Sequence, residues 1–167
     1  MGARILLVNR KIAILLIALV VALLVTRHLA AEPQSKTGCT EANPASLITP
    51  ANTCGSSSDP CIVDVKRTPE SASATPGIAG AKPNRLFAVK VGTTVTWKST
   101  SKGTGFVIDF GASSPFDSPD AITGGTDRAV SVVATKPGCY RYSIGACVSG
   151  ATFGMCDSKT AELVIVK

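Results

Sequence analysis

The stretch VGTTVTWKSTSKGTGFVIDF, residues 91–110, decides the fold. Its first half alternates, with Val95 and Trp97 on one face and Thr94, Thr96 and Lys98 on the other. Its second half alternates again: Phe106, Ile108 and Phe110 face one way, Val107 and Asp109 the other. A period of two is the mark of a half-buried strand, because successive side chains leave a pleated backbone on opposite sides. Two strands are therefore joined by a short polar connection that ends in Gly103, Thr104 and Gly105.

The same reading extends outward in both directions. Residues 61–66 (CIVDVK) form a short β-branched run, and residues 86–91 end at the turn signal Gly92. Residues 128–134 carry Val130 and Val132. Residues 138–144 put Tyr140, Tyr142 and Ile144 together, and residues 160–166 close the chain with AELVIV. Seven short strands with Gly- and Pro-marked turns predict an all-β sandwich of antiparallel strands. No stretch after Val25 carries a sustained helical period. Residues 68–84, with Pro69, Pro76 and Pro83, read as a long connection. Residues 32–60, rich in Pro, Ser, Thr, Ala and Asn, read as a flexible tail, pinned by a Cys39–Cys54 loop. The chain of 167 residues, 45% hydrophobic and only 5% aromatic, suffices for one domain with a modest core over residues 61–167.

The charge lies elsewhere. The formal net charge is +6, but Arg4, Arg10, Lys11 and Arg27 all fall in residues 1–31, where no acid occurs. Beyond them 13 basic residues face 11 acidic ones, too even a balance for the many phosphate contacts of nucleic-acid binding. The basic start precedes IAILLIALVVALLV, residues 12–25, which is long enough for a signal-peptide core and short for a membrane span. Residues 1–31 are expected to be a signal peptide cleaved near Ala31, or else an uncleaved N-terminal anchor. Either reading puts the rest outside the cytoplasm, periplasmic or secreted, with membrane attachment only if the segment stays.

Six cysteines, Cys39, Cys54, Cys61, Cys139, Cys147 and Cys156, fit an oxidising destination and are the disulfide candidates. None forms a C-x-x-C pair, and the one histidine, His28, lies in the leader, so zinc and thioredoxin-type chemistry are excluded. The same lack removes Ser–His–Asp and Cys–His catalysis. Asp117 and Asp120 in SSPFDSPD read as turn residues, and Asp109 as a solvent-face strand residue, so no enzyme is expected.

The segments VGTTVTWKS, PGCYRYSI and AELVIV together make residues 61–167 resemble the cupredoxin family, the fold of plastocyanin and amicyanin. The resemblance implies a Greek-key sandwich of seven or eight strands. It also implies four copper ligands at one rim: a histidine after the Trp-bearing strand, then Cys, His and Met after the Tyr-x-Tyr strand. Carried over, the first falls at Gly105 or Phe106 and the cysteine at Ile144. The second histidine has no counterpart in residues 145–153. Type-1 copper needs two imidazoles and a thiolate, so no cofactor is expected; a soft Cu(I) site from Cys147 and Met155 is the alternative. The resemblance further suggests a Cys147–Cys156 disulfide holding the rim that copper holds in the family, and a Cys61–Cys139 staple at the opposite end. Phe116 and Phe153 are the candidate rim contacts, filling the space of the missing ion. The expected function is that of an exported, non-catalytic binding or accessory module whose partner is a protein or small ligand. The alternative is an electron-transfer protein using the Cys147/Met155 site.

Overall fold

The computed structural model describes residues 39, 46, 48–69, 71–118, 120–148 and 157–167. Residues 1–31, expected to be a signal peptide or anchor, lie outside the described residues, as do Phe153, Met155 and Cys156. Among the described residues, nine strands follow the 3-10 turn at Pro50–Asn52: β1 Cys61–Arg67, β2 Ala72–Pro76, β3 Phe87–Lys90, β4 Thr94–Lys98, β5 Thr104–Asp109, β6 Ile122–Gly125, β7 Val130–Val133, β8 Gly138–Val148 and β9 Asp157–Val166. They form two sheets, ordered β2-β1-β4-β7 and β3-β9-β8-β5-β6. Among the described residues, no helix is long and apolar enough to cross a membrane.

The all-β sandwich expected from the alternating segments is what the chain forms, with three corrections. Its sheets are mixed: β1 runs parallel to β4, with Val63 beside Trp97, and β3 runs parallel to β9. Both parallel pairs join strands distant in sequence, so no local pattern announces them. The second correction is β2, which lies inside the stretch read as a connection. Its residues ASATP have weak strand propensity, yet Ala72 and Ala74 are buried and the strand pairs antiparallel with β1. The third is β6, ITGG, whose glycines hide it from a propensity reading.

The inward faces supply the core. Val63, Val65, Val95 and Trp97 meet Phe106, Ile108, Tyr142, Ile144, Leu163 and Ile165 from the other sheet, all buried. Trp97 is fully enclosed and stands edge-on to Tyr142, ring centroids 5.5 Å apart. Its Nε1–H finds no acceptor among the described residues. An aromatic pair of this geometry contributes about 0.5–1.5 kcal/mol beyond the area it buries.

Alternation also decides the disulfides. Cys61 lies on the inward face of β1 and is fully buried, whereas Cys139 lies on the outward face of β8, between Gly138 at the start of the strand and the inward Tyr140. The two lie in different sheets, Cys61 pointing into the sandwich and Cys139 away from it, and they do not bond. Cys61 pairs instead with Cys54, and Cys139 with Cys39. A Cys39–Cys54 loop is therefore also absent. The described residues just before β1 pack against the sandwich: Cys54 is buried, its N–H donates to Ala88 O at 2.8 Å, and Thr53 bridges Ala88 in parallel.

Two sheet edges are closed by single side chains. On β2, Asn84 accepts from Ala74 N–H at 2.8 Å and donates Nδ2–H to Ala72 O at 3.2 Å. Its own N–H donates to Ala74 O. It does so at φ 58°, a left-handed conformation that asparagine tolerates better than most residues. On β7, Asp117 accepts from Val133 N–H and donates its own N–H to Val133 O, both at 3.2 Å.

Candidate functional site

The end of the sandwich where β5 begins and β8 finishes holds the positions at which a copper site was expected. Gly105 stands opposite Cys147, Phe106 opposite Ala146 and Ile108 opposite Ile144. Strand β8 continues to Val148, four residues past the end read from its alternation, so residues 145–148 are ladder rather than loop. The inward residues at rim level are consequently Phe106 and Ala146, both buried. Ile144, expected at the thiolate position, is fully buried one inward step deeper.

Phe106 fills this end by design of its neighbours. A Cβ on Gly124 would stand 2.5 Å from Phe106 Cζ and 2.6 Å from Arg128 O, so only glycine lets the β6 backbone cross the ring. The connection leading into β5 is pinned at two points. Thr100 donates its backbone N–H and its hydroxyl to the Asp64 carboxylate at 2.9 and 2.8 Å. Thr104 N–H donates to Thr126 Oγ1 at 3.0 Å, and Thr126 N–H donates back to Thr104 O at 2.9 Å. Burial pushes the Asp64 carboxyl up. The Thr100 hydrogen bonds and nearby Lys66 outweigh it and hold the group below its ordinary value.

These residues do not fit type-1 copper. The inward positions Phe106, Ile144 and Ala146 carry no donor atom, and blue copper requires imidazole and thiolate. Cys147 points to the outer face of its sheet and is disulfide-bonded, so it offers no thiolate to a Cys147/Met155 pair. Its expected partner Cys156 and the second ligand Met155 lie outside the described residues, as does Phe153. Among the described residues, no group of three or more His, Cys, Asp or Glu side chains is placed to hold a metal ion.

Phe116 is not a rim residue. It is buried at the opposite end, where it bridges Ala134 and its ring stands edge-on to Phe110 at 5.3 Å. Phe110 in turn meets Tyr142 at 5.0 Å and Tyr140 at 6.5 Å. Burial raises the pKa of both tyrosines, and the Tyr140 hydroxyl donates to Lys136 O at 3.0 Å, at the far end rather than the rim. The carboxylates weighed for catalysis serve the backbone or lie exposed. Asp109 accepts from Gly111 N–H at 2.6 Å, Asp117 closes the β7 edge, and Asp120 is exposed. Gly124 and Thr126 are the rim residues that sequence reasoning missed. The signal was the Gly-Gly pair at 124–125, which has no turn partner in the alternation pattern.

No family model matches the chain, and no curated protein matches it. Among solved structures, an oxidized mutant of amicyanin aligns with 70% of this chain and 94% of its own, at 18% identity and a TM-score of 0.34. A Cu(I) mutant of amicyanin covers the same shares at 19% identity and a TM-score of 0.36. Neither likeness reaches family membership.

Proposed function

We propose that the chain is an exported, non-catalytic module of cupredoxin-like architecture that works without type-1 copper, as a binding or accessory domain for a protein or small ligand. The observation that carries this reading is Phe106: a buried carbon ring stands where the resemblance puts the first histidine, held there by a glycine that no other residue can replace without a clash. A rim filled with carbon stays dry and needs no ion to close it. The disulfides support a destination outside the reducing cytosol. The electron-transfer alternative through Cys147 and Met155 has less support, because it needs a free thiolate at an oxidised cysteine.

Metal analysis with a thiol count on the purified protein tests the proposal. The expected result is no bound copper, no free thiol, and no intense visible absorption when Cu(II) is added. Stoichiometric copper with two free thiols would replace it with the electron-transfer reading.

A further inference from the structure

One peptide bond of this chain combines an internal nucleophile, a good leaving group and cross-links that survive its loss. Asp59–Pro60 is the single Asp-Pro bond of the sequence. It lies immediately before β1, inside the loop that the Cys54–Cys61 disulfide closes. Both residues are exposed, and with Ser56, Ser58, Thr94 and Ser131 they line a hydroxyl-rich groove open to water.

The loop holds both halves of a reacting pair. The Asp59 carbonyl oxygen accepts the Ser56 N–H at 2.8 Å. A donor at this oxygen stabilises the negative charge that develops there when a nucleophile adds to the carbon. The Asp59 carboxylate is anchored through one oxygen: the hydroxyls of Ser56 and Ser58 donate to Oδ2 at 3.2 and 3.4 Å. Anchoring reduces its rotational freedom and leaves Oδ1 as the attacking atom. Gly55, at φ 71°, makes the tight loop possible, because a Cβ there would stand 2.8 Å from the Asp59 carbonyl oxygen and 2.7 Å from Cys61 N. The Pro60 nitrogen belongs to a tertiary amide. It departs as a secondary amine, which holds a proton better than the primary amine any other residue would release. Cys54–Cys61 and Cys39–Cys139 both straddle the bond, each with one cysteine before it and one after. A cut there leaves the two pieces covalently joined.

We propose that Asp59–Pro60 is a self-cleavage site, and that the chain matures into a two-chain form held by its disulfides. Asp59 Oδ1 adds to the Asp59 carbonyl carbon and closes a five-membered cyclic anhydride. The C–N bond to Pro60 breaks, and the nitrogen takes a proton from hydronium as it leaves. Water then opens the anhydride and the proton is returned, so the net reactant is one water. Asp59 ends the first piece with two carboxyl groups, and Pro60 begins the second. The inference does not depend on the binding-module reading, and either can fail alone.

Intact mass spectrometry of the purified full chain, held at mildly acidic pH, tests it. Unreduced protein should gain the mass of one water and lose no fragment. After reduction it should separate into a piece ending at Asp59 and a piece beginning at Pro60. The cut should form at least tenfold faster than in a linear peptide of residues 53–62 carrying serine in place of both cysteines. Asp59→Glu, which must close a larger ring, and Pro60→Ala, which releases a poorer leaving group, should each slow it at least tenfold in the folded protein. The proposal is overturned if no water is gained, if the cut lies elsewhere, or if folded protein and peptide cleave alike. It is equally overturned if Asp59→Glu is cut as fast as wild type, which would mark a contaminating protease.

Discussion

The two ends of the sandwich are built differently. The far end is heavy: Phe110, Phe116, Tyr140 and Tyr142 form a continuous ring cluster, and both Cys54–Cys61 and Cys39–Cys139 lie on that side. Among the described residues the rim is light: one ring, Phe106, meets Ala146, Gly105, Gly124 and Gly125, and polar side chains hold the incoming connection. The contrast teaches where this chain keeps its stability. Among the described residues the rings gather at one end, and the other end shows a single ring with tight backbone contacts.

The contrast is most exposed to failure at Phe116. Truncation by Phe116→Ala should cost about 3–5 kcal/mol in chemical denaturation, because it opens a cavity among packed rings. A loss below half of that would mean the far end does not carry the fold. Next comes the covalent contribution. Replacing Cys54 and Cys61 together by Ser should cost about 2–3 kcal/mol, the value expected for a cross-link closing a short loop. The reduced wild type should match the variant at this site.

Effects at the rim should be smaller. Gly124→Ala forces a methyl group against Phe106 and the Arg128 carbonyl, and should cost about 1–3 kcal/mol. Adding Phe106→Leu should recover part of that loss, since the ring end and not the backbone is then relieved. The smallest effect belongs to Asp64→Asn, under about 1 kcal/mol at neutral pH. Its sign follows from the lowered carboxyl: the folded value lies below the ordinary 3.8, so the contribution is present above the unfolded value and disappears as pH falls through the folded one. Urea midpoints of wild type and variant should differ at pH 7 and converge at pH 2.

Strands with large alternating side chains were legible from the sequence. Trp97 with Val95, Phe106 with Ile108, and Tyr140 with Tyr142 each announce a face, and all six side chains are buried. Strands β2 and β6 were not, because Ala, Ser and Gly carry little propensity and earn their places by fitting beneath neighbours. The empty ligand positions were visible at Phe106 and Ile144, but the depth of each was not. Only the register with β5 shows that Ala146, not Ile144, stands at rim level. Cys139 makes the same point. Alternation from Tyr140 turns it outward, away from Cys61, yet nothing in the local pattern names Cys39 as its partner.

Asn84 gives the fold a chemical clock. Its side-chain amide stands in for a whole strand, offering an acceptor to Ala74 and a donor to Ala72 through one planar group. Deamidation would exchange that donor for a second carboxylate oxygen facing the Ala72 carbonyl, turning an attraction into lone-pair repulsion. The deamidated form would then bare the β2 edge to neighbouring molecules while leaving every core residue in place. Slow loss of solubility on storage, tracked by a one-site mass change and faster exchange across β2, is how this protein would age.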